Sequence, residues 1–484
     1  MPQLKKVRSA VAMAAMLVSA SAVWATSPQG PTVSLDDTAT APAAAPAPTP
    51  PPPPPPLLSY GLEQIPTGNG SNLYQDMSNL NIVVSGFIEA GYTANFDHVA
   101  GTNNFGRIFD AENGNHIQLD QVDVSIAKAI NFSDAGFRKR GWDIGGRVEV
   151  LYGMDADVIH SNGLDFYHGN SYYASGQNPY KPINQFDVDQ AYVSLAMPLF
   201  DTGGVKVRLG KFVTPFGDET INPTTNPFYS HSFEFNYGIP LTHTGAVAYF
   251  SPNADWTFFG GAVLGWNQTF KATNNSPWGF LGGVNWTPQE AAFSGLTGTL
   301  NYYLGANDPN YPSSSYGDNK HYRSLTEVIL AYTPPKATQW TFTSDSIWGY
   351  DGAGKTDYSA GGTPIGVSST NWYAEEGVVS YTLNSYVTVN GRAEWYYDGN
   401  SFTVGGDLPA GTSGVSVNYG EFTIGATITP FPNSTWGKYL KLRPELREDV
   451  ADKAVFQGGA AAGVSSGVGK KYQTTAAMDV IYSF

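Results

Sequence analysis

From Ile82 to the final Phe484 the chain is written in a two-residue rhythm. The last stretch, "TTAAMDVIYSF", shows it. Ala476, Met478, Val480, Tyr482 and Phe484 fall on one row, and Thr475, Ala477, Asp479, Ile481 and Ser483 on the other. Side chains alternate faces along a strand, so these rows are the apolar and the polar side of one strand. About 16 such segments recur. They lie near 82–96, 117–131, 142–153, 186–197, 205–211, 242–250, 256–266 and 278–286. The second half continues near 297–305, 323–332, 340–349, 371–382, 386–397, 418–429, 440–449 and 472–484. Clusters of Gly, Asn, Asp, Pro and Ser, the chemistry of turns, separate them.

The connections alternate in length. Residues 97–116, 154–185, 212–241, 351–370, 399–417 and 450–471 are long, whereas 132–141, 198–204, 251–255, 383–385 and 430–439 are short. Only the pair 267–277 and 287–296 fails to separate. An up-and-down sheet puts alternate turns on opposite sides, so short periplasmic turns and long exterior loops are the expected outcome. Beyond the N-terminal region no segment offers 18 uninterrupted apolar residues, which excludes a bundle of membrane helices. A membrane location then requires a closed barrel, because open sheet edges are not tolerated in hydrocarbon. Composition agrees: charged residues are 14%, well under the roughly 25% of soluble domains, and aromatics also reach 14%. Cysteine is absent, which removes disulfides, thiol catalysis and thiolate metal sites. The expected architecture is an all-β, transmembrane, antiparallel up-and-down barrel of about 16 strands, within a range of roughly 14–18. In such a barrel the last strand pairs with the first, which explains a chain that stops on aromatics in mid-strand. Tyr482 and Phe484 fall where an interfacial girdle belongs, and a terminal Phe resembles the signal read by the barrel-insertion machinery of the outer membrane.

Ahead of the strands the texture differs. Lys5, Lys6 and Arg8 precede the apolar run "AVAMAAMLVSASAV", and Val23 and Ala25 flank a cleavage point. These are the three parts of a secretory signal peptide, so residues 1–25 are expected to be removed. Residues 26–59 are Pro/Ala-rich and end in an unbroken run from Pro50 to Pro56. Such a tract adopts extended polyproline II and acts as a semi-rigid periplasmic tether; docking to the cell wall or to a periplasmic partner is the alternative. Residues 60–81 form a pre-barrel segment, and 82–484 the barrel.

The two faces of the strands point to function. In "KVRLGK" Lys206 and Arg208 oppose Val207 and Leu209; Arg392 and Glu394 oppose Ala393 and Trp395. Arg147 and Glu149 oppose Ile144, Val148 and Val150, and Arg443, Glu445 and Arg447 oppose Leu442, Pro444 and Leu446. Charge on a lipid face costs about 2–4 kcal/mol at mid-bilayer, so the charged rows must face the lumen. Glu89 and Asp123 join this pore-lining set. A barrel of this size is wide enough for an aqueous channel rather than a packed plug. Single pairs such as Arg392 with Glu394 serve equally well to stiffen the wall. A short internal echo also stands out. "DQVDVSIA" at 120–127 matches "DQAYVSLA" at 189–196, which two strands meeting the same inside–outside demand would produce without a repeat architecture.

The stretch "GKFVTPFGDETINPTTNPFYSHSFEFNYGIPLTHTGA", 210–246, resembles the OmpL-like putative outer-membrane β-barrel porin family. So do "FIEAGYTANFD" at 87–97, "VLYGMDAD" at 150–157, "QAYVS" at 190–194 and "LRPELRED" at 442–449. The likeness spans most of 80–484 and leaves the Pro-rich leader outside. Glu448 departs from it, where an aromatic is expected after "RPELR". The resemblance implies a porin for passive diffusion of small hydrophilic solutes or ions, without assigning the solute. By analogy with other porins, the third exterior loop folds inward as a constriction. Its Asp218, Glu219 and Glu234 would then face the basic Arg147, Lys206 and Arg208 across the channel. The acidic balance, a formal −15 before the basic leader is removed, suggests cation preference.

Rival readings are weaker. An enzymatic barrel, a lipid or peptide hydrolase, would draw on Ser232 beside His231, with His243 nearby, but no G-x-S-x-G or H-E-x-x-H motif accompanies them. Asp155, Asp157 and His160 in "MDADVIH" lack the glycine and closing Glu of a calcium loop, and "DAENGN" at 110–115 is weaker still. A structural or adhesive barrel is a third class. No catalytic residue, metal or cofactor is expected. The partners expected are outer-membrane lipid, the insertion machinery through Phe484, further copies in a homotrimer, and whatever the linker docks to. Nucleic acid is not expected as a partner, since the chain is strongly acidic and a phosphate-binding surface needs a basic patch.

Overall fold

The computed structural model describes residues 61–484 apart from 69, 97–103, 111–116, 131, 133–134, 162, 165–183, 200–202, 270–277, 306–320, 359–363, 405–413 and 457–469. The leader, the Pro-rich tract and most of "DAENGN" lie outside the described residues. A short helix, α1 (Leu73–Asn79), precedes the barrel; Asn72 caps it and Gln75 closes the capping box.

Sixteen strands then follow. They are β1 (Ile82–Asn95), β2 (Ile117–Lys128), β3 (Asp143–Gly153), β4 (Gln185–Leu199), β5 (Gly203–Val213), β6 (Thr242–Ser251), β7 (Trp256–Val263) and β8 (Gly279–Trp286). The second half comprises β9 (Leu296–Gly305), β10 (Arg323–Tyr332), β11 (Trp340–Tyr358), β12 (Pro364–Thr382), β13 (Val387–Asp398), β14 (Val417–Ile428), β15 (Leu440–Ala451) and β16 (Tyr472–Ser483). Each pairs antiparallel with its sequence neighbours, and β1 pairs with β16, so the sheet is a closed barrel. The seam runs to the last residue: the Gly86 and Phe484 peptide groups exchange hydrogen bonds of 2.9 and 2.8 Å.

The expected long loop at 351–370 is instead mostly strand. β11 and β12 continue outward as a paired ribbon, with Lys355 opposite Ser368 and Thr356 opposite Val367. Gly and Ser break the apolar alternation there, and the pattern therefore reads as loop.

Alternation sorts the faces. Outward-facing Ile126, Val148, Leu195, Leu209, Ile424 and Leu446 are all exposed, a belt of a kind a soluble surface does not carry. Aromatics mark both rims. Trp142, Trp256, Trp340 and Trp436 sit at the short-turn ends, and Phe96, Tyr152, Phe186, Tyr322 and Tyr472 at the long-loop ends, as interfacial girdles require. The inward face carries polar and charged side chains beside an apolar cluster that includes Leu281, Tyr303, Leu325, Ile347 and Tyr396, and it encloses the site.

Candidate functional site: the third loop and its two walls

The connection between β5 and β6, residues 214–241 (L3 below), turns into the lumen, where most of its residues are buried. A chain crossing a barrel must satisfy its peptide groups. The inward-facing side chains of the wall do this, with arginines serving the carbonyls and carboxylates the N–H groups.

On one side, Arg443 of β15 donates to the Pro223 and Asn226 carbonyls, both at 2.9 Å. Arg392 of β13 donates to the Ser230 carbonyl at 2.8 Å, and Arg447 of β15 to that of His231. Lys441 Nζ reaches the Thr224 carbonyl at 2.7 Å. Each arginine is also matched by carboxylates. Arg443 pairs with Asp479 of β16 and, at 2.9 Å, with Glu89 of β1. Arg392 pairs with Glu421 of β14 at 3.1 Å and with Glu219 of the loop itself. Arg447 pairs with Asp449 at 2.7 Å, and Asp449 holds Arg107 of the first exterior loop at 3.1 Å. Glu445 accepts the Tyr229 and Ser230 N–H groups at 2.9 and 3.2 Å. Tyr229 closes the contact by lying against Gly91 of β1, where a Cβ would come within 2.2 Å of its ring.

On the other side the wall is acidic. Glu327 of β10 accepts the Gly217 N–H at 2.7 Å and the Asn301 amide at 2.6 Å. Asp345 of β11 accepts the Asp218 N–H at 2.8 Å. Glu234 of the loop, Glu327 and Asp345 each place an oxygen within 4.8 Å of the others. Glu394 of β13 joins the two walls, accepting the Phe233 and Glu234 N–H groups at 2.7 and 2.6 Å through its two oxygens. Trp372 of β12 donates from Nε1 to the Gly238 carbonyl at 2.9 Å.

The loop's own ionisable groups respond. Burial, with Glu219 alongside, pushes the Asp218 carboxyl up to about 7. Burial raises Glu234 well above the carboxylate range, and Asp345, Glu376 and Glu327 reinforce it. Burial also acts to raise Glu219, but the Arg392 guanidinium, His231 and the Ser232 hydrogen bonds together hold it below its ordinary value. Burial lowers His231 to about 4, so its imidazole is neutral.

The loop acids do not face Arg147, Lys206 and Arg208, as the expected transverse field requires. Glu219 goes to β13, Asp218 to β11, and Glu234 beside β10 and β11. Arg147 instead pairs with Glu149 on its own strand. Arg208 stacks over Tyr192 at 4.3 Å and Lys206 over Tyr249 at 4.9 Å. Nor do Arg392 and Glu394 pair; each is committed to other groups. Instead of lining open water, Glu89, Asp123, Glu149, Lys206, Arg208, Arg392, Glu394, Arg443, Glu445 and Arg447 are 0–7% exposed. Glu448, partly exposed, accepts from Thr474 Oγ1 at 2.5 Å.

The hydrolase constellation is not assembled. Ser232 Oγ donates to Glu219 at 2.8 Å, while His231 stacks on Phe235 at 4.4 Å and His243 contacts Thr214 and the Gly265 carbonyl. Asp155, Asp157 and His160 likewise diverge, to Gln121, Gln185 and Asp187.

The echo at 120–127 and 189–196 has a structural meaning. The register slips between Glu89 and Ala90 opposite β2, and between Glu149 and Leu151 opposite β4. Each slip is a β-bulge that turns two consecutive side chains inward. Asp120 with Gln121, and Asp189 with Gln190, are all buried. Gln121 Nε2 donates to the Ile221 carbonyl of L3 at 2.9 Å, and Gln190 Oε1 accepts the Val213 N–H at 3.4 Å where L3 begins. Strict alternation hides Asp120 and Asp189, because a bulge breaks the very period used to find inward residues. Glu327 and Asp345 were within reach of alternation.

Residues 81–484 match the model of the family described as Putative beta-barrel porin-2, OmpL-like. No curated protein matches the chain. Among solved structures, the anion-selective porin from Comamonas acidovorans has 13% identity and a TM-score of 0.49, covering 83% of this chain and 99% of its own. The outer membrane channel DcaP of Acinetobacter baumannii has 11% identity and a TM-score of 0.49, over 83% and 97%. OmpF of Salmonella typhi in complex with daunomycin has 13% identity and a TM-score of 0.47, over 83% and 97%.

Proposed function

The chain belongs to the OmpL-like beta-barrel porin-2 family and is an outer-membrane porin, and from that premise we propose a cation-preferring diffusion channel whose aperture L3 sets. One observation carries the reading. A single loop leaves the wall at β5 and is fastened across the lumen along the arc of strands from β10 round to β1, so solutes pass beside it rather than through an empty bore. Among the described residues, buried acidic side chains outnumber buried Arg and Lys by more than two to one, and each of Arg392, Arg443 and Arg447 is matched by carboxylates. The carboxylates of this set that stay ionised favour cations. Of the pore-lining charges, Arg392, Glu394, Arg443, Glu445 and Arg447 act first as anchors of the loop and through it on the aperture, with Glu89 pairing Arg443; Asp123, Arg147, Glu149, Lys206 and Arg208 belong to the wall at β2–β5. The protein performs no covalent chemistry. It is exported by cleavage after residue 25, with 26–59 as a periplasmic tether. Barrels associate as a homotrimer; Glu375, with Ser344 and Ser346 on the outer side of β11 and β12, supports this, since such a patch is costly against lipid.

Single-channel current across a planar bilayer under a salt gradient tests the proposal. Discrete steps with a reversal potential of cation sign are expected. An anion-selective potential overturns the preference, and a folded barrel without conductance overturns the diffusion channel.

A further inference from the structure

The two bulges do more than start the loop. We propose that Asp123, Glu149 and Asp189, with the side-chain oxygen of Gln121, form a binding site for a hard divalent cation of the calcium class behind the root of L3. The three carboxylates come from adjacent strands, β2, β3 and β4, and each offers an oxygen within 4.8 Å of the other two. All three are buried, at 3% exposure. Calcium–oxygen bonds of about 2.3–2.6 Å allow ligand oxygens on opposite sides of an ion to lie about 5 Å apart, so the cluster matches one ion.

A second observation is independent of the acids. Gln121, 1% exposed, spends its amide nitrogen on Asp155 and on the Ile221 carbonyl, and its Oε1 has no donor among the described residues. Asp189 Oδ1 is likewise without one. Both residues line a cavity of about 70 Å³ that also contains Asp123 and Glu149 and is roofed by L3 residues from Thr214 to Thr225. A water needs about 10–15 Å³ of such space, so an ion with waters completing its shell fits.

Charge favours a cation. Arg147 pairs with Glu149, and Lys211, turned to Asp187 and the Val188 carbonyl, also acts on Asp189. Three carboxylates facing these two cations keep the cluster net negative. The Gln190 amide donates to Glu149 and fixes its orientation, as outer hydrogen bonds do at metal sites. Carboxylate and amide oxygens select a hard cation over a thiophilic one. The other acidic cluster, Glu234 with Glu327 and Asp345, differs: two of its members already receive the peptide N–H groups of L3.

The site is independent of which ions the pore prefers. The purified barrel in detergent, stripped with EDTA, is titrated with calcium chloride by calorimetry. One calcium per chain and a raised thermal midpoint are expected. Asp189→Asn and Asp123→Asn should each weaken binding at least tenfold, while Glu448→Gln, on the outer face of β15, leaves it unchanged. No saturable one-to-one binding to the wild-type protein overturns the site, whether or not the variants fold. So does unchanged affinity in a folded Asp189→Asn or Asp123→Asn variant, an equal loss in Glu448→Gln, or tighter binding of magnesium than of calcium.

Discussion

L3 is held by two walls that solve one problem with opposite chemistry. The β13–β1 wall meets loop carbonyls with guanidinium groups, each already paired with carboxylates; the β10–β11 wall meets loop N–H groups with carboxylates that have no basic partner among the described residues. Removing one ion from a buried pair leaves its partner uncompensated, at about 3–5 kcal/mol. The first wall therefore holds the loop through guanidinium groups that stay charged at any pH the protein meets. The second depends on protons and on the fine placement of peptide groups. Function that requires a loop to yield belongs on the second side.

The largest effect should come from breaking the first wall. Arg443→Met strands Glu89 and Asp479 and leaves the Pro223 and Asn226 carbonyls without their donor. About 3–5 kcal/mol of anchorage is lost. The thermal midpoint in detergent should fall and single-channel conductance should rise, with noisier open levels. Unchanged conductance would show that the arginines do not hold the loop.

Acidity should sharpen the contrast from the other side. Asp218 is held at about 7, above its ordinary 3.8, so the anchored loop binds a proton that the released loop does not. That contribution is full at low pH and is lost as pH rises through about 7; beyond that it is flat. Open-state residence should therefore grow several-fold between pH 5 and pH 8. Asp218→Asn should flatten this dependence, and Arg443→Met should retain it. Next in size is Gly91→Ala, whose Cβ must displace the Tyr229 ring it would meet at 2.2 Å. Overpacking of this kind costs about 1–3 kcal/mol, read as a lower melting temperature and a shifted conductance.

The barrel was legible from alternation and loop length because a lipid-facing row and a lumen-facing row impose a strict period on every strand. The rows carrying Arg392, Arg443 and Arg447 were legible for the same reason. Their partners were not. Alternation says which side a residue faces, and nothing about the loop that comes to meet it. Asp218, Glu219 and Glu234 were identified as loop acids, yet their destination on β10–β13 depends on the path of residues 214–241, which no local pattern encodes. The paired bulges left a trace, the repeated Asp-Gln, whose meaning needed the register.

The smallest effect concerns Glu394, where the walls meet. Its two oxygens accept two peptide N–H groups, from Phe233 and Glu234. Glu394→Gln keeps one acceptor and turns a donor toward the second N–H, which costs about 1 kcal/mol by the usual worth of a buried hydrogen bond. The barrel should fold and melt close to wild type. Brief channel flicker should increase, because the loss falls on the short segment that leads from the arginine wall into the acidic one. If flicker changes no more than it does on replacing an exposed residue, the loop turns there on its own stiffness. The two walls then act as separate clamps instead of one continuous seam.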